Sequence, residues 1–263
     1  MKILALDTSG QHASAAIVVS STETVCRIGS EFASTKKDSG RANPATTKNI
    51  STHVIIGEVS LNARHGEKAY THSEILMPAV EKLFELTGQK TEELDSIAYT
   101  CGPGSFTGIR IGASTALGLA KALNIQAVAV PTLDALAYNA YGMGFGGDIC
   151  PMMDARRGQV YFALFDSGFN KIIDYKAKSI DEVLSSLRGE TLIIGDGAEV
   201  MHSRYSSSVN ENEKKRLVFA AAHHNFVRAS SVGLRACNNL NSYGGKMIYV
   251  RPPQAVREMT GGI

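Results

Sequence analysis

Three polar residues directly after the first apolar segment are the clearest candidates for chemistry in this sequence. Asp7, Thr8 and Ser9 follow the segment Ile3–Leu6, and Gly10 closes the turn. A turn of this composition presents backbone N–H groups and hydroxyls that can hold an anion such as phosphate. The same side chains also form ordinary turns, because they hydrogen-bond their own backbone. Both interpretations stay open from these residues alone.

A second stretch combines a strand, a tight turn and a helix of unusual composition. The apolar segment Ile97–Cys101 ends at Gly102-Pro103-Gly104, after which apolar and small residues recur at helical spacing. A four-residue repeat leaves one stripe of this helix nearly without side chains: Gly108, Gly112, Ala116 and Ala120. Such a stripe lets another element approach closely, and that element is either a partner's helix or the chain's own sheet.

Histidine, cysteine and serine form no recognisable reactive motif. The four cysteines are far apart, without a Cys-x-x-Cys pair, and are predicted to be reduced thiols. The seven histidines contain no pair one helical turn apart, and the adjacent His223 and His224 point in different directions on a helix or strand. Ser105 stands outside the Gly-x-Ser-x-Gly context of a hydrolase nucleophile. We therefore predict neither a metal site nor a nucleophile.

Composition and charge set the broad class. The chain has 263 residues and a formal net charge of +2, and no concentrated basic face is visible along it, as a nucleic-acid binder usually has. There is no signal peptide pattern at Met1 and no apolar run long enough to cross a membrane. The expectation is a cytoplasmic globular protein without a membrane contact.

The helix before the central stretch carries clear start and stop signals. Thr71 and Glu74 match a capping box, and Gly88 is a natural end. A broad apolar face follows the cap, made of Ile75, Leu76, Ala79, Val80, Leu83 and Phe84. Pro78 is expected to kink this helix or to delay its start.

The remaining patterns predict two α/β lobes, residues 1–140 and 148–263, joined by the glycine-rich linker 141–147. The linker matches Gly-x-Gly-x-x-Gly, but no helix follows, so dinucleotide binding is not expected. In the second lobe we predict strands at 149–154, 159–166, 172–177 and 191–194, helices at 180–187 and 226–240, and a loop at 201–216. In the first lobe Ser34–Thr52 is predicted to be an inserted polar loop.

Five blocks in this order resemble the bacterial TsaB family, also called YeaZ: Asp7–Ser9, His72–Pro78, Gly102–Gly112, Asp154–Tyr161 and Tyr249–Pro252. The resemblance implies the two-lobed actin/Hsp70/sugar-kinase-like (ASKHA) fold and a part in making threonylcarbamoyladenosine on tRNA, beside the anticodon. It further implies a non-catalytic platform that pairs with a TsaD-like catalytic paralogue and a TsaE-like ATPase, while a TsaC-like enzyme makes the activated intermediate. For the chain alone, the resemblance leaves a homodimer and a monomer open.

The resemblance also predicts which chemistry this chain lacks. The TsaD paralogue binds its metal through two histidines one turn apart, and Thr132 and Leu136 stand at those positions here. Neither side chain supplies an imidazole to a metal. The metal chemistry of the paralogue is therefore expected to be absent.

Nucleotide binding is the second expectation that the fold implies. The phosphate and adenosine elements of this fold correspond here to Asp7–Ser9, Asp154 and the turn Gly195-Asp196-Gly197, and within that turn Gly195 and Gly197 are the predicted contacts. Any ATP or ADP is expected to bind weakly and without rapid hydrolysis. A weak ATPase is therefore the alternative function, whereas a metallopeptidase is disfavoured.

The partner interface is predicted on two helices, in agreement with the pairing that the family implies. The predicted contacts are Ile75, Leu76, Ala79, Val80, Leu83, Gly108, Ile109, Gly112 and Ala116. On this hypothesis Gly112→Leu abolishes association and leaves the monomer folded. The insertion Ser34–Thr52 is longer than is usual in the family, and its basic residues meet RNA phosphates or are simply solvated.

Overall fold

Two mixed β-sheets form the framework of the chain in the computed structural model, which describes residues 1–28, 31–34, 47–63, 70–208, 217–238 and 245–251. Helices pack on both sheets, so the predicted α/β fold class is confirmed. Within these ranges, no helix combines the length and apolarity that crossing a membrane requires.

The first sheet has the order β3-β2-β1-β5-β6, and β4 pairs with the other side of β2. Its strands are β1 (Lys2–Asp7), β2 (His12–Ile28), β3 (Glu31–Ser34), β4 (Thr47–Asn62), β5 (Ser96–Thr100) and β6 (Gln126–Val130). β1 and β5 run parallel, with Leu6 opposite Tyr99. Their carboxyl ends therefore bring Asp7 and Thr100 side by side.

The predicted loop Ser34–Thr52 is wrong at both of its ends. Ser34 ends β3, and β4 already begins at Thr47, where it pairs with β2 in a long antiparallel ribbon. The Ser21 and Thr52 hydroxyls meet across this ribbon at 2.8 Å. A strand pair with solvent on its faces needs no apolar alternation, which is why the polar composition was misleading. Residues 35–46 lie outside the described part of the chain.

α1 (His72–Thr87) and α2 (Phe106–Leu123) pack on the first sheet, and α3 (Thr132–Ala137) follows β6 along the chain. The capping box of α1 forms as predicted, and Gly88 ends the helix with φ of 63°. The delayed start expected from Pro78 is wrong, because the helix is continuous from His72. The cap satisfies the first N–H groups, and a proline in the second turn removes only one later hydrogen bond.

The second sheet has the order β11-β10-β7-β8-β9. Its strands are β7 (Asp148–Asp154), β8 (Gln159–Phe165), β9 (Lys171–Ser179), β10 (Thr191–Ile194) and β11 (Leu217–Phe219), with α4 at Ile180–Ser186 and α5 at Gly197–Ser208. The predicted strands and the helix near 180 are confirmed. The loop predicted at 201–216 is wrong up to residue 208, because α5 buries Ala198 and Met201 on one face.

The end of the described chain returns to the first lobe. α6 (Ala229–Asn238) packs on the first sheet, with Gly233 against Ala5 and Val18. Further on, the Ile248 N–H donates to the Cys101 oxygen at 2.7 Å. The predicted second lobe, 148–263, therefore includes segments, α6 and the residues around Ile248, that pack on the first lobe. One apolar cluster, with Ile3, Leu136, Ile149 and Val232 among its members, continues through both lobes.

Candidate functional site

A cleft opens where the carboxyl ends of β1, β7 and β10 meet. It consists of two adjoining cavities of about 260 and 530 Å³, and both are lined by Gly10, Gln11, Met153 and Asp196. Ligands of open α/β sheets bind at such carboxyl ends, outside the strands. The cavities together have the size that small-molecule sites usually have. This cleft is the first candidate site.

Asp7 closes the floor of the smaller cavity and is almost completely buried. Its Oδ1 accepts hydrogen bonds from the Ser9 hydroxyl at 2.6 Å, the Ser9 N–H at 3.1 Å and the Thr100 hydroxyl at 2.8 Å. Burial raises the pKa of Asp7 from its ordinary 3.8 to about 6, and these hydrogen bonds oppose the rise. At neutral pH the cleft therefore holds a buried carboxylate whose ionised form is strained by desolvation.

The hydroxyls beside Asp7 face the protein. Thr8 Oγ1 donates to the Gly108 oxygen at 2.7 Å, and Ser9 Oγ is used by Asp7. Thr8 is buried and lines neither cavity, so its hydroxyl is not placed there to make the phosphate contact that the sequence had predicted. Ser9 does line the larger cavity, although its hydroxyl is already engaged. The side chains of this turn therefore hydrogen-bond within the chain, as in the ordinary turn that was the alternative to a phosphate site.

Asp154 and Asp196 approach the cleft from the second lobe. Asp154 lines the larger cavity, and its N–H donates to Asp196 Oδ1 at 2.9 Å. Arg156 lies beside Asp154, with 3.5 Å between Nη1 and Oδ2. Burial, and to a smaller extent the charge of Asp154, raises the pKa of Asp196. The structure therefore brings Asp7, Asp154 and Asp196 to one cleft, as expected for the first two.

Gly195 and Gly197 serve packing and not ligand contact, which corrects their prediction. Both are buried, and a Cβ at Gly195 would lie 2.0 Å from the Met152 oxygen while one at Gly197 would lie 2.9 Å from Met152 Cβ. The two glycines let the turn after β10 lie directly on β7. The carboxylate that reaches the cavities is Asp196, between them. The sequence signal for Asp196 was a Gly-Asp-Gly turn directly after a buried strand.

Sequence reasoning missed an aromatic wall of the smaller cavity. His12 and Phe226 stack with ring centroids 4.3 Å apart, and both line the cavity beside Asn225. Asn225 Oδ1 accepts from the Gly195 N–H at 2.9 Å. These residues come from distant segments, so no local pattern could have joined them.

The cleft is acidic and lacks an obvious activated group. Among the described residues, no three His, Cys, Asp or Glu side chains are grouped so as to hold a metal ion. Cys101 and Cys150 are free but buried, and burial raises the pKa of the Cys101 thiol to about 12. A buried neutral thiol is a poor nucleophile. Thr132 and Leu136 are buried on α3.

The predicted interface residues are buried inside this chain, which is a correction, while Val80 also lines the groove between the outer sides of α1 and α2. On α1 the apolar face is buried against the chain's own first sheet: Ile75, Leu76, Ala79, Val80 and Leu83. On α2 the same holds for Gly108, Ile109, Gly112 and Ala116. A Cβ at Gly108 would lie 2.1 Å from the Thr8 oxygen, and one at Gly112 would lie 2.5 Å from Thr8 Oγ1. The small stripe therefore accommodates the turn after β1.

A second candidate site is the apolar groove between the outer sides of α1 and α2. Its volume is about 350 Å³, and its half-buried walls are Met77 and Phe84 from α1 and Leu119 and Leu123 from α2. Glu81 lines the groove as well, and Leu94 and Ile97 form part of its floor. We call this surface the outer groove. Apolar side chains that remain accessible in this way are typical of protein contact sites.

Comparisons with known proteins agree on one family. A family profile described as "TsaD: tRNA N6-adenosine threonylcarbamoyltransferase" matches residues 66–227. The protein named TsaB in Bacillus subtilis is 36% identical over 133 residues, which are 51% of this chain and 52% of that protein. TsaB of Escherichia coli is 31% identical over 133 residues, 48% of this chain and 58% of that protein. The matched part thus spans about half the length of these curated relatives.

The fold has a close counterpart among solved structures. YeaZ from Pseudomonas aeruginosa superimposes with a TM-score of 0.62 at 21% identity, covering 94% of this chain and 99% of that one. At this identity the likeness concerns the fold.

Proposed function

Because this chain belongs to the family that the TsaD profile describes and, within it, to the TsaB (YeaZ) family, we propose that it is a non-catalytic subunit in the formation of threonylcarbamoyladenosine on tRNA. The single observation that carries the non-catalytic role is the start of α3. Thr132 and Leu136 are buried there, and neither side chain supplies the imidazole that the resemblance implies for the catalytic relative at these positions.

The proposed work of the chain is to hold a TsaD-like catalytic subunit, together with a TsaE-like ATPase. The outer groove supports this role, because Met77, Phe84, Leu119 and Leu123 line it with apolar surface that the chain's own core covers only in part. A related subunit with its own helix pair would fill the groove from across a pseudo-twofold axis. Without that subunit, a second copy of this chain fits the same surface and gives a homodimer.

Reconstitution tests the proposal. TsaC-, TsaD- and TsaE-like proteins, tRNA, threonine, bicarbonate and ATP are combined with and without the chain, and modified adenosine is measured. We expect little product without the chain and no product from the chain alone. Full-rate modification in its absence would contradict the proposal.

The contact surface has its own test. Phe84→Glu puts a charge into the outer groove, and we expect it to abolish co-purification with the TsaD-like subunit. Because Phe84 also packs against the core, melting curves check that the variant is folded under the binding conditions. Leu86→Glu is the matched control, because Leu86 lies on the same helix, is 68% exposed and does not line the groove. Equal loss of binding in both variants would show that the groove is not the contact.

Weak nucleotide binding is the second candidate function. The carboxylates of the cleft favour nucleotide binding only when a divalent cation is bound as well. Asp7, Asp154 and Asp196 repel a polyphosphate, whereas Mg²⁺ is commonly bound by carboxylates and substrate phosphates together. The hydroxyls of Thr8 and Ser9 are used internally, which leaves few donors for phosphate. Calorimetry with Mg·ATP should show weak binding and no steady phosphate release. Sub-micromolar binding with turnover would make the chain an ATPase.

A further inference from the structure

Three sequence blocks that the proposed function does not use meet on one surface. They are the start of α2 with Phe106 and Arg110, the β7–β8 turn with Arg156 and Arg157, and the segment Tyr249–Arg251. The blocks are separated by about 45 and 90 residues along the chain. We call the six side chains that they contribute the arginine rim: Phe106, Arg110, Arg156, Arg157, Tyr249 and Arg251.

Arg110 holds the first part of the rim together. Its guanidinium lies over the Phe106 ring at 3.7 Å, and its Nε donates to the Tyr249 hydroxyl at 3.1 Å. The Phe106 and Tyr249 rings are tilted against each other with centroids 5.7 Å apart. Both rings nevertheless remain open to solvent, at 38% and 42% exposure. The structure thus presents two ordered aromatic rings and a cation at one place.

Arg251 connects this part to the second lobe. Its Nη1 donates to the Ala155 oxygen at 2.9 Å, and its guanidinium lies 5.7 Å from the centre of the Tyr161 ring. Ala155, Arg156 and Tyr161 line the larger cavity together with Ser105 and Thr107 of α2. The rim therefore runs along one border of the larger cavity, across both lobes.

Arg156 and Arg157 are both exposed members of the rim. They occupy the hairpin turn with φ of 64° and 57°, left-handed values that glycine or asparagine adopts more readily. The Arg156 side chain is 71% exposed. A large side chain in the left-handed region costs conformational energy, and residues of this kind cluster at functional sites. Asp154 neutralises part of the Arg156 charge, and Asp196 of the same cavity is half-buried, so the exposed charges of the rim are those of Arg110, Arg156 and Arg157.

We propose that the arginine rim binds a single-stranded part of tRNA, with the guanidinium groups on phosphates and the exposed rings against bases. This inference rests on the proposed function, which supplies an RNA substrate. Single-stranded RNA is recognised by aromatic stacking together with cationic side chains, and arginine planes also stack on bases. A protein partner would need acidic groups opposite three exposed arginines, whereas RNA supplies a phosphate at every nucleotide.

The structure also explains why the sequence showed no basic face. The four arginines come from three segments that the two lobes bring together, so no window of the sequence contains more than two of them. A net charge near zero is compatible with one positive border.

Binding of the full chain to a fluorescent, unmodified tRNA transcript tests the proposal, with the salt concentration varied from about 50 to 200 mM. The double variant Arg156→Gln with Arg157→Gln should weaken binding roughly tenfold and lower the slope of log K against log salt by 1 to 2. Phe106→Leu with Tyr249→Leu should weaken binding roughly tenfold by lost stacking, with little change in that slope. The matched control is Lys121→Gln with Arg188→Gln, two exposed cations outside the rim, which should change the affinity less than about twofold.

Each outcome decides the matter. Unchanged binding in both rim variants, or no binding of tRNA by the unaltered chain at 50 mM salt, overturns the proposal. It is equally overturned if the rim variants retain RNA but lose the TsaD-like subunit, since the rim is then a protein contact. If the chain proves dispensable in the reconstituted reaction while the rim variants lose tRNA, the proposed function fails and the rim assignment stands. Melting curves of all variants exclude unfolding as the cause.

Discussion

The two sides of the helix pair α1 and α2 differ in what they contact. The inner sides carry small and apolar residues that pack on the first sheet and on the turn after β1. The outer sides form a groove with four large apolar residues that the core covers only in part. Small residues at four-residue steps thus indicate that something approaches closely, but they do not say whether it is the same chain or another. Here it is the same chain.

The inner contact is specific at the level of atoms. The Thr8 hydroxyl donates to the Gly108 oxygen at 2.7 Å, and the Ser105 N–H donates to the Ser9 oxygen at 2.7 Å. These bonds fix the turn after β1 against the beginning of α2. The same turn ends in the cleft, so the inner side positions Asp7 as well as stabilising the lobe.

The largest effect on stability is expected from truncating the inner side of α1. Leu83 is 1% exposed and packs beneath Gly57 and the first sheet, so Leu83→Ala leaves a cavity and should lower the free energy of unfolding by about 2–5 kcal/mol. Leu86→Ala on the outside of the same helix should change it by less than about 0.5 kcal/mol. Urea unfolding of both variants measures the difference. Similar values for the two would mean that α1 is not buried as described.

A pH dependence of about 3 kcal/mol is expected from Asp7, which lies below the inner side of α2. Its pKa is raised from 3.8 to about 6 in the folded chain, so the folded state binds a proton more readily than the unfolded state. Stability from this group is complete below about pH 4 and is lost as the pH rises through 6. A pKa rise of about two units corresponds to roughly 3 kcal/mol.

The variant Asp7→Asn isolates this contribution. Asparagine keeps an oxygen for the hydrogen bonds from Ser9 and Thr100 but cannot ionise. The unfolding free energy of the unaltered chain relative to the variant should therefore fall between pH 4 and pH 7. A constant difference over that range would show that Asp7 titrates normally.

Local patterns were sufficient for most elements of the fold. The capping box at Thr71, the strand before Gly102 and the strand Thr191–Ile194 were predicted because their signals lie within a few residues. The long ribbon of β2 and β4 was missed, because its stability comes from pairing between distant segments and not from its polar composition. α5 was missed as well, because Ala198 and Met201, which it buries, stand among polar residues.

The candidate site was predictable only in part. Asp7 was found because its turn follows a buried strand, and Asp154 because the family resemblance pointed to it. The inward orientation of Thr8 and the stacking of His12 on Phe226 depend on tertiary packing, for which the sequence contains no local signal. Burial of the predicted interface residues likewise depends on tertiary packing and had no local signal in the sequence. An amphipathic helix shows which face is apolar, but not how much of that face the chain's own sheet already covers.

The smallest effects are expected from alanine substitutions at three glycines of α2, which compare the inner and outer sides of this helix directly. Gly108 and Gly112 lie on the inner side, where an added Cβ would meet Thr8 at 2.1 and 2.5 Å, and the first of these contacts is with backbone. Gly118 lies on the outer side with nothing within 4 Å of that position. Alanine is favoured over glycine inside a helix by about 1 kcal/mol, so any loss at the inner positions reflects the clash alone.

We therefore expect Gly118→Ala to raise the free energy of unfolding by up to about 1 kcal/mol, and Gly108→Ala to lower it by about 1–3 kcal/mol. Gly112→Ala should fall between them, because the Thr8 side chain can rotate away at the loss of its hydrogen bond to Gly108. This ordering replaces the expectation that a side chain at Gly112 affects only association. If all three variants were stabilised and instead lost the TsaD-like subunit, the stripe would have to face a partner, and the assignment of inner and outer sides would be reversed.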